Sequence, residues 1–378
     1  MPEFVFIHTA PALERLVADW SGVPWLGLDT EFVRERTYHA QLCLIQLASP
    51  EGLALIDPLA LPDWTALFAL LDASGTVKIL HAGGQDLELF HRARSECLPA
   101  PLFDTQIAAS LLGHGQQIGY AALVQSLLGI ALPKLHTRSD WSRRPLSVSE
   151  LDYAVDDVRH LAALHDHLGE ALERAGRLAW AEADNTALAD PARYRIDPER
   201  AWLRIGAGRM LPPPAQGALR ALAAWREREA QARDLPRQWL LRDEVLLRWA
   251  EQRPDSLPAL AALAEVAPKL MRQYGEDWIT AIREGALQPP DPLPVLYPLT
   301  PEQERRLKRL GQLVRARAAA LGVEGPVLAP RRDLEALVLG LREVPVLQGW
   351  RRSVIGEELL SELDTAAIDP AVGALPID

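Results

Sequence analysis

Residues 26–35 read LGLDTEFVRE. Leu26, Gly27 and Leu28 head into an apolar core, yet Asp29 and Glu31 follow at once. In a strand, positions i and i+2 project from the same face, so these two carboxylates stand side by side. Like charges that close cost stability unless a proton, a partner or a cation neutralises one of them. Further acids occupy comparable places. KILHAGGQDLELF (78–90) runs off a strand, through Gly83 and Gly84, into a helix whose first turn carries Asp86. Taken alone, Asp86 is explained by the helix dipole, and Asp104 in LFDTQ (102–106) by an N-cap. In SVSELDYAVDDVRHL, Tyr153 and Asp157 stand at i and i+4 on one helix face, with Asp152 and Asp156 on the neighbouring stripe. A single Tyr there is ordinarily a core aromatic and a single Asp ordinarily solvated. Joined to Asp29 and Glu31, they outline something else. Asp29, Glu31, Asp86 and Asp157 can converge on a hard cation. Oxygen-only ligation, without a cysteine set or a clustered histidine pair, favours Mg²⁺ or Mn²⁺ over Zn²⁺.

The elements that must position these residues are legible. FVFI (4–7), WLGLDTEFV (25–33), QLCLIQLAS (41–49), GLALIDPL (52–59) and VKILHA (77–82) read as strands. Helical patterns fall between and after them: APALERLVADW behind Thr9 as cap, WTALFALLDAS, QDLELFHRAR, DTQIAASLLG and YAALVQSLLG. Three strands in a row, then helices and one more strand, predict a mixed sheet covered by helices, an α/β core. From Ser147 one long helix is expected, opened by a capping box with Glu150 and stopped at Gly176. Beyond about residue 195 the strand signals vanish. Proline-rich stretches at 211–217 and 287–301 set off two helical segments. Leu219/Leu222 correspond to Leu307/Leu310, Arg226-x-Arg228 to Arg315-x-Arg317, and Arg242-Asp243 to Arg332-Asp333, at offsets drifting from 88 to 90. Three matches in order point to a duplicated helical module.

The 378 residues suggest two or three domains. No stretch of about 18 uncharged apolar residues occurs, and the first residues lack a basic region before an apolar run, so a soluble, unexported protein is expected. Cys43 and Cys97 are the two cysteines, too few for a disulfide framework or a cysteine-rich zinc module, and fit a cytoplasmic location. Net charge is −11 over residues 1–200 and zero over 201–378. An acidic first half does not attract phosphates by itself, so with a nucleic-acid substrate the attraction must come from cations or from the second half. The plain alternative is solubility.

DTE on a strand, HAGGQDLELF at a strand-to-helix turn, and YAVDD with its Tyr-x-x-x-Asp spacing resemble the three exonuclease motifs of the DEDD superfamily in its tyrosine-bearing branch. Within that branch, FDTQIAASLLG and RSDWSRRPLSVSELDYAVDDVRHL resemble the bacterial ribonuclease D family. The resemblance spans roughly residues 20–170. The two helical segments resemble HRDC domains. Gln85 is a departure, since relatives often carry an acid there. The resemblance implies a ribonuclease H-like exonuclease domain at 1–195, followed by two all-α HRDC-like domains at 208–288 and 298–370. It implies a 3′→5′ exoribonuclease with two divalent cations, Mg²⁺ or Mn²⁺, and RNA such as tRNA precursors as partner. Asp29 would bridge both ions, Glu31 and Asp157 would complete one site, and Asp86 would support the other through water. Tyr153 would position the attacking water. Its ordinary pKa near 10 makes it a poor base at neutral pH, so a cation must lower the water's own pKa.

On the substrate side, Lys134, Arg138, Arg143 and Arg144 fall in the loop before the Tyr153 helix, with Trp141 among them. Basic residues interleaved with an aromatic can hold phosphates and stack a base, and an ordinary solvated loop with a Trp anchor reads equally well. His81 and Gln106 are further candidates beside the site, with a supporting or structural role favoured. Two other functions compete. A proofreading-type DNA exonuclease is disfavoured, because that branch usually has His where Tyr153 stands. A non-catalytic nucleic-acid scaffold is disfavoured because all five motif residues are present.

Overall fold

The computed structural model describes residues 4–94, 97–133, 139–263, 266–288 and 299–365. Six strands form one sheet in the order β1-β4-β3-β2-β5-β6. They are β1 (Val5–Ile7), β2 (Trp25–Val33), β3 (Gln41–Ser49), β4 (Gly52–Ile56), β5 (Val77–Leu80) and β6 (Leu102–Asp104). β1 runs parallel to β4 and β5 to both β2 and β6, while β3 is antiparallel to β4. The expected mixed sheet is therefore present, with one strand that the sequence reading did not separate. β6 is three residues long and follows Pro101, too short for an alternating pattern to register. Its pairing sets Leu80 opposite Asp104, which matters for the site.

Alternation along β2 and β3 sorts the side chains. Leu26, Leu28, Ile45 and Leu47 are fully buried in one core with Leu13, Leu16 and Ile56. That core covers the sheet face under the helix Ala10–Asp19. Thr9 stands at the N-cap of this helix but makes no side-chain capping bond. On the opposite face, Ala48 and Ile79 pack against Val158, Leu161 and Leu164. The WTALFALLDAS segment is shorter than a full helix: a 3₁₀ turn at Thr65–Leu67 and one helical turn at Phe68–Leu71.

The capping box of Ser147 and Glu150 is formed as expected, and Gly176 ends the run with φ +65°. The single long helix is not. It is two helices, Val148–Arg159 and Leu161–Arg174, broken at His160 (φ −104°, ψ 2°). The break has a local cause. The Tyr120 hydroxyl donates to the Asp156 carbonyl at 3.0 Å and accepts the His160 amide at 3.1 Å, occupying the place of one helical hydrogen bond.

The chain divides into two compact units. One comprises the described residues of Met1–Val33, Leu42–Tyr194 and Thr300–Asp378, and the other Arg34–Gln41 with Arg195–Leu299. In the first unit the C-terminal helices lie against the helix Leu178–Leu188. Trp180 and Trp350 stack at 4.4 Å and 4°, and Arg351 donates twice to Asp184 (2.6 and 2.9 Å). Arg177 bridges the Leu111 and Leu321 carbonyls at 2.6 Å each. The second unit is built on the helices Pro213–Arg233, Asp243–Gln252 and Pro268–Ala286, packed around Leu219, Leu222, Trp249 and Trp278. The Arg34–Gln41 segment belongs to it: the Tyr38 hydroxyl bonds Glu227 and the His39 amide bonds Asp234. The two helical segments share a plan, since Pro213–Arg233 and Pro301–Leu321 are each 21 residues long and start 88 residues apart. Among the described residues no helix is long and apolar enough to cross a membrane.

Candidate active site

Gly27, Asp29 and Glu31 share the face of β2 that looks away from Leu26 and Leu28. A side chain at Gly27 would come within 3.1 Å of the Ala48 Cβ and 3.4 Å of the Val158 carbonyl. Glycine therefore lets the Val148–Arg159 helix settle close onto β2, and with it Asp157. One oxygen from each of Asp29, Glu31 and Asp157 lies within 4.8 Å of the others, and no other group of three or more potential ligands occurs among the described residues. All three are partly exposed, so a solute can reach them.

Asp86 stands just outside this trio, in the first turn of the helix Gly84–Ala93. It is buried, and Thr30, between the two strand carboxylates, donates its hydroxyl to it. The turn that delivers Asp86 is tightly specified. Ala82 has φ +56°, a strained value for a residue with a side chain, and a Cβ on Gly83 would strike the Leu80 side chain at 2.6 Å. Asp104, aligned with Leu80 through β6, holds that turn. Its carboxylate accepts the Ala82 and Gly83 amides (3.1 and 2.8 Å) and caps the next helix through Gln106 and Ile107 (2.8 and 3.2 Å). With four N–H donors it is satisfied without a cation.

The electrostatics follow from this crowding. Burial, then Asp86, Asp157 and Glu31, push Asp29 well above the carboxylate range. Burial followed by Asp157 and Asp86 raises Glu31 to about 8. Burial raises Asp157 to about 7 against the opposing hydrogen bond from Tyr153, and burial raises Asp86 to about 6. Without a cation, the cluster holds protons at neutral pH that ordinary carboxylates would lose. Hard oxygens, mutual repulsion and solvent access together fit a divalent cation. The Tyr153 hydroxyl is pushed above its ordinary value by burial and then by Asp157, Glu31 and Asp29, so it keeps its proton and bonds Asp157.

The substrate-side candidates divide. Lys134 and Arg138 lie outside the described residues. Trp141 is a core residue, 3% exposed among Cys43, Leu44, Leu55 and Ala154, and so offers no face to a base. Arg144 is spent internally: its five N–H groups go to both oxygens of Asp57 and to the carbonyls of Cys43, Trp141 and Arg143. Arg143 is exposed to solvent. His81 and Gln106 both meet the Ile118 carbonyl, at 3.0 Å each, and His81 also meets Thr105. They fasten the segment leading to Tyr120 rather than a substrate. Thr30 and Tyr120 escaped the sequence reading, since neither type signals its role without the fold.

Residues 4–173 match the model of a 3′–5′ exonuclease family, and residues 215–282 match the HRDC domain. A ribonuclease D of Gluconacetobacter diazotrophicus is 42% identical over 375 residues, covering 96% of this chain and 93% of the relative. The chain belongs to the ribonuclease D family. A ribonuclease D of Pseudomonas paraeruginosa is 38% identical, covering 97% of this chain and 99% of the relative. The crystal structure of Escherichia coli RNase D, described as an exoribonuclease involved in structured RNA processing, matches with TM-score 0.86 at 33% identity over 95% of this chain and 98% of that one. As a member of the ribonuclease D family the chain is a 3′→5′ exoribonuclease, with its exonuclease module in the sheet-bearing part and a helical HRDC module after it.

Proposed function

We propose that this exoribonuclease trims the 3′ ends of structured RNA, tRNA precursors above all, releasing nucleoside 5′-monophosphates with the aid of two divalent cations, Mg²⁺ or Mn²⁺. The observation that carries this is the Asp29–Glu31–Asp157 trio, three carboxylates with oxygens within 4.8 Å and Asp86 at their edge. Asp29, Glu31 and Asp157 would hold one cation; Asp29, with Asp86 acting through water, the other. Bound divalent cations supply charge to the attacking and leaving oxygens of an in-line displacement. The chain's own residues do the positioning. Thr30 aims Asp86, Asp104 fixes the turn that carries it, and Tyr153 keeps a proton with which it orients the attacking water. The two helical segments, taken as HRDC-like modules at 208–288 and 298–370, would grip the RNA body, with Arg143 binding a phosphate near the exonuclease site. The processing of structured RNA by the Escherichia coli relative supports this substrate class.

The test is end-labelled RNA and DNA of one sequence, with Mn²⁺ or EDTA, and products separated by chromatography. Nucleoside 5′-monophosphates released stepwise from a free 3′ hydroxyl of RNA are expected. Nucleoside 3′-monophosphates, or cuts in a circular RNA, would overturn the reading.

A further inference from the structure

Gln46 is wholly buried on β3, and neither its amide oxygen nor its amide nitrogen has a hydrogen-bond partner. Buried primary amides are nearly always paired, and an orphan one calls for an explanation such as an absent ion, water or ligand state. Its position supplies one. β2 and β3 are neighbours in the sheet. Gly27 lies against Ala48, while the Cys43 thiol meets the Val33 backbone, so the strands run in opposite directions. Two residues onward from Gly27 is Asp29, and two residues back from Ala48 is Gln46. By alternation both share the face of Gly27 and Ala48, and cross-strand neighbours of that kind hold their Cβ atoms roughly 5 Å apart. Leu44, Ala154, Val155 and Val158 pack on this face and offer Gln46 no polar partner. The polar group that strand register sets beside Gln46 is the Asp29 carboxylate.

We propose that Gln46 is a positioning residue for the carboxylate cluster, its amide donating to the Asp29 carboxylate. The inference rests on the cation reading of the trio. One amide N–H would hold the Asp29 carboxylate in the orientation in which it could ligate a cation. Partners that orient ligands in this way commonly matter 10- to 100-fold in metal affinity.

The variants are Gln46→Met, close in length and volume, and Gln46→Leu as a second apolar replacement. Each full chain is melted in EDTA, titrated with Mn²⁺ by calorimetry, and assayed on RNA for kcat and KM. Both variants should melt at or above the wild type in EDTA, because two unpaired buried polar atoms are gone. Both should bind Mn²⁺ roughly 10- to 100-fold more weakly, with kcat reduced and KM little changed. Unchanged Mn²⁺ affinity would overturn the proposal, as would lower melting in EDTA for both variants, which marks a packing residue. A wild-type chain that takes up no Mn²⁺ would sink the cation reading and this proposal together, an outcome distinct from variants that bind normally.

Discussion

The Tyr120 hydroxyl stands between the Asp156 carbonyl and the His160 amide, which flank the stretch that contains Asp157. It both ends the Val148–Arg159 helix and sets the pitch at which Asp157 faces Asp29. Tyr120→Phe removes the inserted group, and the helix can close its own bond or leave two polar groups wanting. The expected cost is about 1 kcal/mol in a urea melt, the size of a typical buried hydrogen bond. Turnover should fall several-fold with KM unchanged. Wild-type turnover would show that the break serves only the path of the chain.

The carboxylates predict an unusual pH profile. Glu31 near 8, Asp157 near 7 and Asp86 near 6 all lie above their ordinary values of 4.5, 3.8 and 3.8. Between about pH 4.5 and 8 the folded, metal-free protein therefore holds more protons than the unfolded chain. Stability from these groups is fully present below their unfolded values and is lost as pH rises through the folded ones. Thermal melts in EDTA should weaken from pH 5 to 8, and Mn²⁺ should reverse the trend. Calorimetry in buffers of different ionisation enthalpy should show protons released as Mn²⁺ binds, with affinity rising over the same interval.

On the proposed cation site, Asp29→Asn and Asp157→Asn would each remove a ligand oxygen and one source of repulsion at once. Each should abolish hydrolysis while the metal-free protein melts at or above the wild type. Wild-type turnover at saturating Mg²⁺ in either variant would break the assignment.

Tyr153→Phe keeps the ring against Trp141, 6.1 Å away, and deletes the hydroxyl that bonds Asp157. If that proton orients the water, single-turnover rates should drop by roughly 10²–10⁴ with Mn²⁺ affinity nearly unchanged. A loss of two- or three-fold would make Tyr153 a core aromatic.

The sequence made the cluster legible because its signals are local. Asp29 and Glu31 at i and i+2 on β2, and Tyr153 and Asp157 at i and i+4 on a helix, follow from the two periodicities alone. Trp141 and Arg144 misled for the converse reason: a loop of Arg and Trp looks alike whether it faces RNA or core, and only the fold supplies Asp57 and three carbonyls to consume the Arg144 guanidinium. Tyr120 was invisible because its partner lies 36 residues away. The break at His160 could not be read from a pattern that stays helical on both sides.

The C-terminal helices present fewer free cations than their sequence suggests. Much of their positive charge is internally paired: Arg305 and Arg306 with Glu302, Arg309 with Glu362, Arg317 with Glu358, Arg331 with Glu335. Deleting the helices would also strip Trp350 and Arg351 from Trp180 and Asp184 inside the same compact unit. Asp184→Ala alone should cost about 1.5–3 kcal/mol, the range for charge-assisted hydrogen bonds, so a truncation confounds stability with binding. Substitution of exposed cations that form no ion pair among the described residues avoids this. Lys308→Ser with Arg315→Ser, on the Pro301–Leu321 helix, should leave the melting temperature nearly unchanged. If these side chains meet phosphates, the log–log salt slope of RNA affinity should flatten by about 1 for each phosphate that is no longer neutralised. An identical slope would confine these helices to bracing the exonuclease body.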